Sequence, residues 1–168
     1  LKLHEFSADV EEITDQALKE EKMEVALAKL DEVWAGIMFC ESDYKEGSDI
    51  KLLAISEDDF DLLENDQLTV QGMMASRFLA TFETEVTSWQ KRLAMVADVL
   101  LQLNDIQRTW SYLEPLFIGS DEVRRELPDT AEKFSGIDTD VKSILAEASA
   151  TKNCHTACNR EGLYPELE

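Results

Sequence analysis

Residues 82–117 read FETEVTSWQKRLAMVADVLLQLNDIQRTWSYLEPLF, and this stretch decides the fold. Phe82, Trp89, Val96, Leu103, Trp110 and Phe117 recur at intervals of seven, with Val86, Leu93 and Leu100 at the intermediate positions. Alternating steps of four and three lay one apolar seam along an α-helix. Gln107 and Glu114 interrupt the second series, and Ile106 and Leu113 stand one residue earlier, so the seam is expected to drift round the helix. At about 1.5 Å of rise per residue such a helix is roughly 50 Å long. Pro115 lacks an N–H and crowds the carbonyl of Ser111, so the helix is expected to kink or end there. Periodicity alone asks for nothing beyond a packed core.

Outward from this rod, the chain reads as an all-α, elongated antiparallel helical bundle with a long central helix and a small β-hairpin insertion. Within residues 1–36, Phe6, Val10, Ile13 and Ala17 predict one amphipathic helix. Met23, Leu27, Leu30 and Trp34 predict a second, separated at Glu20-Glu21-Lys22 and closed near Gly36. In 37–55, two short apolar runs flank the turn-like Lys45-Glu46-Gly47-Ser48-Asp49 and predict the hairpin, read as a connector or a docking surface. Residues 56–75 predict a helix opened by Ser56 and Asp59 in a capping-box arrangement, with Phe60, Leu63, Val70 and Met73 or Met74 inward. The long helix is expected over 76–118. Helices follow in 119–152, the last with Ala131, Phe134, Val141, Leu145 and Ala148 on its inner face. Residues 153–168 read as a loop and the start of another helix.

The chain has 168 residues, 44% of them hydrophobic, enough for a real core, so global disorder is not expected. No apolar run approaches the roughly 20 residues that span a bilayer. It starts without Met and stops on Gly162-Leu163-Tyr164-Pro165-Glu166-Leu167-Glu168, which reads as a piece cut from something longer. Net charge is −20 and unevenly spread. Residues 5–32 hold ten acidic and three basic side chains, residues 41–66 ten and two, but residues 77–117 only five and four. A nearly neutral rod between acidic neighbours is the pattern of a buried element with solvated flanks. Lys and Arg form no stripe, so nucleic acid and anionic membrane are poor partners.

The chemistry-bearing residues are sparse. The six glycines stand singly, so no phosphate-cradling loop is present and no cofactor site is expected. Cys154, His155 and Cys158 are the one cluster of soft ligands, one short of a structural zinc set; unpaired loop cysteines are the plainer reading, and with Cys40 the thiols are expected to be reduced, as in an intracellular protein. Glu57-Asp58-Asp59 with Asp61 lacks an EF-hand pattern and suits a solvated helix start. No catalytic and no metal-ligating residue is assigned. Trp34, Trp89, Trp110 and Tyr112 are expected to pack rather than form a ligand box.

The end of the rod is more distinctive. Gln107-Arg108-Thr109-Trp110-Ser111-Tyr112-Leu113-Glu114-Pro115-Leu116-Phe117 resembles a signature of dynein heavy chains, in the part of the linker that precedes the ATPase ring. The resemblance extends upstream through Phe82, Val86, Trp89 and Leu93, and downstream through Val123-Arg124-Arg125-Glu126-Leu127-Pro128 and Phe134 to Asp138. Leu103 departs from it, standing where many members carry Trp. Ser88-Trp89-Gln90-Lys91 and Thr109-Trp110-Ser111 resemble axonemal chains, particularly the outer-arm β-type. The resemblance implies a mechanical segment, not an enzyme: a helical lever of a microtubule-based motor in the axoneme of a cilium or flagellum. It would couple ATP hydrolysis in a downstream AAA+ ring, which holds the ATP and Mg, to movement of the tail. Its implied partners are the ring, the tail and the rest of the linker in its own heavy chain, with other dynein subunits also possible. The acidic surface speaks against direct contact with an acidic microtubule. Trp89, Gln107, Arg108, Trp110, Leu113, Glu114, Pro115 and Phe117 carry the motif and are the candidates for mechanical importance. Gln107 and Arg108 are read either as polar contacts between helices or as a solvated face. A static helical scaffold, such as a spectrin-like repeat, explains the helices and acidity equally well but not the motif.

Overall fold

A computed structural model describes residues 3–168, with side chains described from Phe6 onward. Among the described residues the chain is helical apart from one hairpin and the connecting turns. Helix α1 spans Leu3–Gly36, strands β1 and β2 span Cys40–Asp43 and Lys51–Ala54, and α2 spans Glu57–Met74. A single 3-10 turn, Leu79–Thr81, leads into α3, Glu83–Phe117. Then come α4 (Asp121–Glu126), α5 (Pro128–Thr151), α6 (Cys154–Cys158) and α7 (Leu163–Leu167). Tertiary contacts fix the directions. Trp34 meets Asp66 and Glu20 meets Thr81, so α1 and α2 are antiparallel. Gln67 reaches the Leu93 carbonyl and Met74 meets Thr87, so α2 and α3 are too. Trp110 with Asp138 and Phe117 with Phe134 give the same relation for α3 and α5. The accessible surface is 11213 Å² for 19.1 kDa, against about 8,400 Å² expected of a compact monomer of that mass, so the bundle is elongated.

Helix α3 is the axis of the bundle. Val86, Trp89, Leu93, Val96, Leu100, Leu103, Gln107 and Trp110 are all buried, an unbroken three-four stripe. The drift expected at Gln107 does not occur, because Gln107 is itself a buried member of the stripe while Ile106 and Leu113 are only half-buried beside it. The helix packs against α2, α4, α5, α6, α7 and β2 along its length. It begins at Glu83 rather than Ser76, since the Ser76 hydroxyl accepts from the Phe78 N–H and holds a separate turn. It also runs through Pro115 instead of stopping there. The loss of one N–H is tolerable in a last turn, and the N–H groups of Ile118 and Gly119 close that turn on the Glu114 carbonyl. Gly119 is required here: a Cβ would lie 2.7 Å from the Pro115 carbonyl oxygen.

Residues 3–36 form one helix, where two were expected. The break at Glu20-Glu21-Lys22 is a change in the apolar pattern and not in the backbone. Glu and Lys are good helix formers, and neither Gly nor Pro interrupts. Met23, Leu27, Leu30 and Trp34 are buried, while Phe6, Val10 and Ile13 are exposed. Phe60 and Tyr112, expected inward, are also exposed, at 44% and 72%. The hairpin forms where the sequence places it, with Glu41 opposite Leu53 and Gly47 at positive φ in its turn. Ser56 caps α2, its Oγ accepting from the Asp59 N–H. The inner face of α5 carries Ala131, Phe134, Val141, Leu145 and Ala148, with Asp138 buried among them.

The helix start read near residue 163 is α7, but the stretch before it, read as loop, contains the short helix α6, and both fold back onto α3, so Cys154 and Cys158 are buried helical residues and not loop thiols. Asn153 makes this possible. Its Oδ1 accepts from the Thr156 N–H and caps α6, while its Nδ2 donates to the carbonyls of Trp34, Ala35 and Ile37 at the end of α1. One side chain thus satisfies an N-terminal donor of one helix and orphan acceptors of another. Lys152 before it is a γ-turn at φ 61, closed by the Asn153 N–H on the Thr151 carbonyl.

Candidate functional site

The motif residues gather where the hairpin lies across the C-terminal half of α3. Gln107 is 6% exposed and pairs with the backbone of β2: its Oε1 accepts from the Leu53 N–H at 2.6 Å and its Nε2 donates to the Leu53 carbonyl at 2.8 Å. Leu53 thereby spends both backbone groups on α3, so Gln107 acts as one link of a third strand along an otherwise open sheet edge. One turn on, Trp110 is buried and its indole N–H donates to Asp138 of α5 at 2.9 Å. Lys142 donates to the other oxygen of that carboxylate at 2.6 Å. The Tyr44 ring covers Trp110 with centroids 4.5 Å apart.

Tyr44 and Lys45, at the hairpin tip, close the site over the proline. Pro115 leaves the Ser111 carbonyl without its helical donor, and the Tyr44 hydroxyl lies 3.2 Å from that carbonyl and 3.0 Å from Glu114 Oε2. Its single proton is shared between these acceptors. Lys45 Nζ donates to the same Glu114 oxygen at 2.6 Å. Burial, and then the Glu114 carboxylate, raise the Tyr44 phenol above its ordinary 10.0, so it stays a donor across the physiological range. The Glu114 carboxylate likewise raises the Lys45 ammonium. Phe117 stacks on Phe134 at 5.2 Å, and half-buried Leu113 packs beside it.

Two motif residues lie apart from this cluster. Arg108 is exposed and, among the described residues, pairs with Asp105 on its own helix, at 2.9 Å, so the solvated face holds for Arg108, whereas Gln107 makes a polar contact to strand β2 and not to another helix. Trp89 is buried five turns upstream, its ring 5.2 Å from His155 and 4.8 Å below the Arg92 guanidinium. His155 also faces Trp34 at 6.1 Å, and its Nε2 is buried without a partner. Burial first, and the Arg92 charge second, hold its pKa below the usual 6.5, with Asp31 opposing weakly. The imidazole lies against the Trp89 and Trp34 rings. Cys154 and Cys158 face each other at 3.9 Å, and their mutual hydrogen bond and burial push the Cys158 thiol up, away from the thiolate that a metal needs. Among the described residues no group of three or more His, Cys, Asp or Glu side chains is placed to hold a metal, and no helix is long and apolar enough to cross a membrane.

The arrangement is thus a set of contacts between elements distant in sequence, most of them ending on one face of α3. A family model described as dynein heavy chain, N-terminal region 2, matches residues 1–168. The chain belongs to the dynein heavy chain family. It is 50% identical over its whole length to the dynein alpha chain of the flagellar outer arm of Chlamydomonas reinhardtii. It is 40% identical to the ciliary dynein beta chain of Tripneustes gratilla, and 37% to dynein axonemal heavy chain 9 of Homo sapiens, again over the full chain. The chain spans about 4% of the length of each of these dyneins. The axonemal character read in the Trp89 and Trp110 motifs thus appears among its relatives, flagellar outer arm in the name of the alpha chain and ciliary in that of the beta chain. Tyr44, Asp138 and Asn153 complete the ties within this dynein segment and were not singled out as site residues by sequence. Asn153 three residues before Thr156 is a capping pattern that was there to be read; Tyr44 carries no local signal, since Ser111 lies 67 residues away, and for Asp138 the spacing to Lys142 is local but the tie to Trp110, 28 residues away, is not.

Proposed function

We propose that this segment is a force-bearing part of the dynein linker, a stiff bar that carries displacement between an AAA+ ring and the tail in an axonemal motor. The observation that carries the reading is the anchoring of α3: eight consecutive stripe positions are buried from Val86 to Trp110, held from several elements at once. A lone helix of that length bends and frays, whereas one packed along its whole face moves as a body. The segment itself contributes no chemistry. ATP and Mg are handled in the ring, and the partners of this piece are the other parts of its own heavy chain within the axonemal complex. Nucleic acid, membrane and the acidic microtubule surface are not among them.

The test is made in the intact heavy chain. Leu93→Ala, at a fully buried position of α3, loosens the bar without touching a nucleotide site. Microtubule gliding is expected to slow while ATP turnover per head persists, because hydrolysis is no longer converted fully into displacement. Unchanged gliding velocity, with local loosening verified by hydrogen exchange at α3, would make the segment a static spacer.

A further inference from the structure

The stretch from Lys152 to Cys158 carries two costs that its surroundings do not relieve. Lys152 stands at φ 61 and ψ −45, a strained γ-turn in which a side chain is crowded and which glycine adopts freely. Three residues on, His155 Nε2 is buried and, among the described residues, meets no hydrogen-bond partner. Local strain of this kind persists only where neighbouring contacts over-determine it. Here those contacts come from the end of α1 and the residues just after it. The Asn153 amide donates to the carbonyls of Trp34, Ala35 and Ile37. The Cys154 N–H donates to the Ile37 carbonyl, and the Phe39 N–H to the Lys152 carbonyl, both at 2.9 Å. A five-residue helix does not hold itself, because its first turn fixes more dihedral angles than its hydrogen bonds repay. Helix α6 therefore keeps its place through what it touches on α1, α3 and α5.

We propose that residues 152–158 form a strained catch on the end of α1, which opens as a unit and parts that end from α3 and α5 while those two helices stay folded. The bonds to residues 34–39 hold Lys152 in its turn, and the turn in its place presents Asn153 to α1, so breaking either releases the other. That mutual dependence makes the segment two-state and not gradually deformable. Opening exposes Cys154 and Cys158, which are 0% and 1% exposed when the catch is closed. It also lifts the His155 ring from Trp34 and Trp89 and gives Nε2 access to water. Helix α3 survives the loss, because its buried stripe also packs against α2, α5 and α7. The catch is a property of the fold and stands whether or not α3 carries load.

The experiment times the opening in the intact heavy chain by N-ethylmaleimide labelling mapped by peptide mass. Exposed Cys40 is the freely reacting reference, and hydrogen exchange of the α3 amides reports unfolding of the rod. Cys154 and Cys158 are expected to react together, more slowly than Cys40, with an opening constant at least about tenfold larger than that of the α3 amides. Lys152→Gly relieves the turn and should lower that constant about tenfold. Asn153→Asp keeps the oxygen that caps α6 but replaces the donor to the α1 carbonyls with a second acceptor. It should raise the constant about tenfold and leave α3 exchange unchanged. Thiols that react only when α3 exchanges would overturn the proposal, as would an opening constant that Lys152→Gly does not lower or that Asn153→Asp does not raise.

Discussion

Gln107 shows how one side chain serves two elements at once. Its amide answers both polar groups of Leu53 in a buried setting, so removing it strands a donor and an acceptor. Gln107→Leu is expected to destabilise the segment by about 2–4 kcal/mol, read from urea unfolding; an unchanged midpoint would mean that water reaches the strand edge. At Trp110 two substitutions separate packing from hydrogen bonding. Trp110→Ala is expected to cost about 3–5 kcal/mol, since a large buried ring is lost. Trp110→Phe keeps most of the ring but leaves Asp138 to Lys142 alone, and should cost about 1–3 kcal/mol. His155 supplies the pH dependence. Its folded pKa lies below the unfolded 6.5, so the unfolded chain binds the proton first as pH falls. Its contribution is intact above about pH 6.5 and is lost as pH drops through that value towards the folded pKa. His155→Phe should flatten the stability profile over that window; a slope unchanged from the parent would assign the loss to other groups.

At the scale of elements, the hairpin and the proline turn explain each other. Pro115 opens the Ser111 carbonyl, and Tyr44 from the hairpin tip offers a donor to it. The two residues should therefore be coupled energetically. Tyr44→Phe is expected to cost about 1 kcal/mol in the parent chain and measurably less after Pro115→Ala, which returns a helical N–H to Ser111. A double-mutant cycle measures the difference, and strict additivity would show that Tyr44 spends its proton on Glu114. A hairpin of four-residue strands is marginal alone, so its persistence depends on these ties to α3 and on Ser149 of α5, which donates to Glu41. The same dependence is why its existence was legible as a turn between apolar runs while its orientation was not. In α1 the reverse held. The shift of pattern at residues 20–22 looked like a helix end, yet it marks only a change in what the helix packs against, which periodicity in one chain does not distinguish from a break.

For the molecule as a whole, charge sets a condition on stability. A net charge of −20 on 168 residues repels itself, and the acids concentrate on α1, the hairpin and α2 around a neutral core. Raising salt from about 0.01 to 0.15 M shortens the screening length from roughly 30 to 8 Å and is expected to stabilise the fold by on the order of 1 kcal/mol, about 2–4 °C in melting temperature. A melting temperature that falls with added salt would mean that the ion pairs, such as Lys45 with Glu114, outweigh the repulsion. The elongated outline belongs to this scale too. Most ties converge on one face of α3, so the bundle is long in the direction of that helix.

The sequence by itself determined the helical class, the central rod, the hairpin and the family, because heptad spacing, turn residues and the Gln107–Phe117 motif are local patterns that survive without coordinates. Only the tertiary structure decided the continuity of α1, the passage of α3 through Pro115 and the partners of Gln107, Tyr44 and Asn153. Those outcomes turn on whether a distant group satisfies a polar atom left open nearby. An orphan carbonyl at Ser111 ends a helix in one surrounding and is answered by a tyrosine in another, and the chain's local pattern is the same in both.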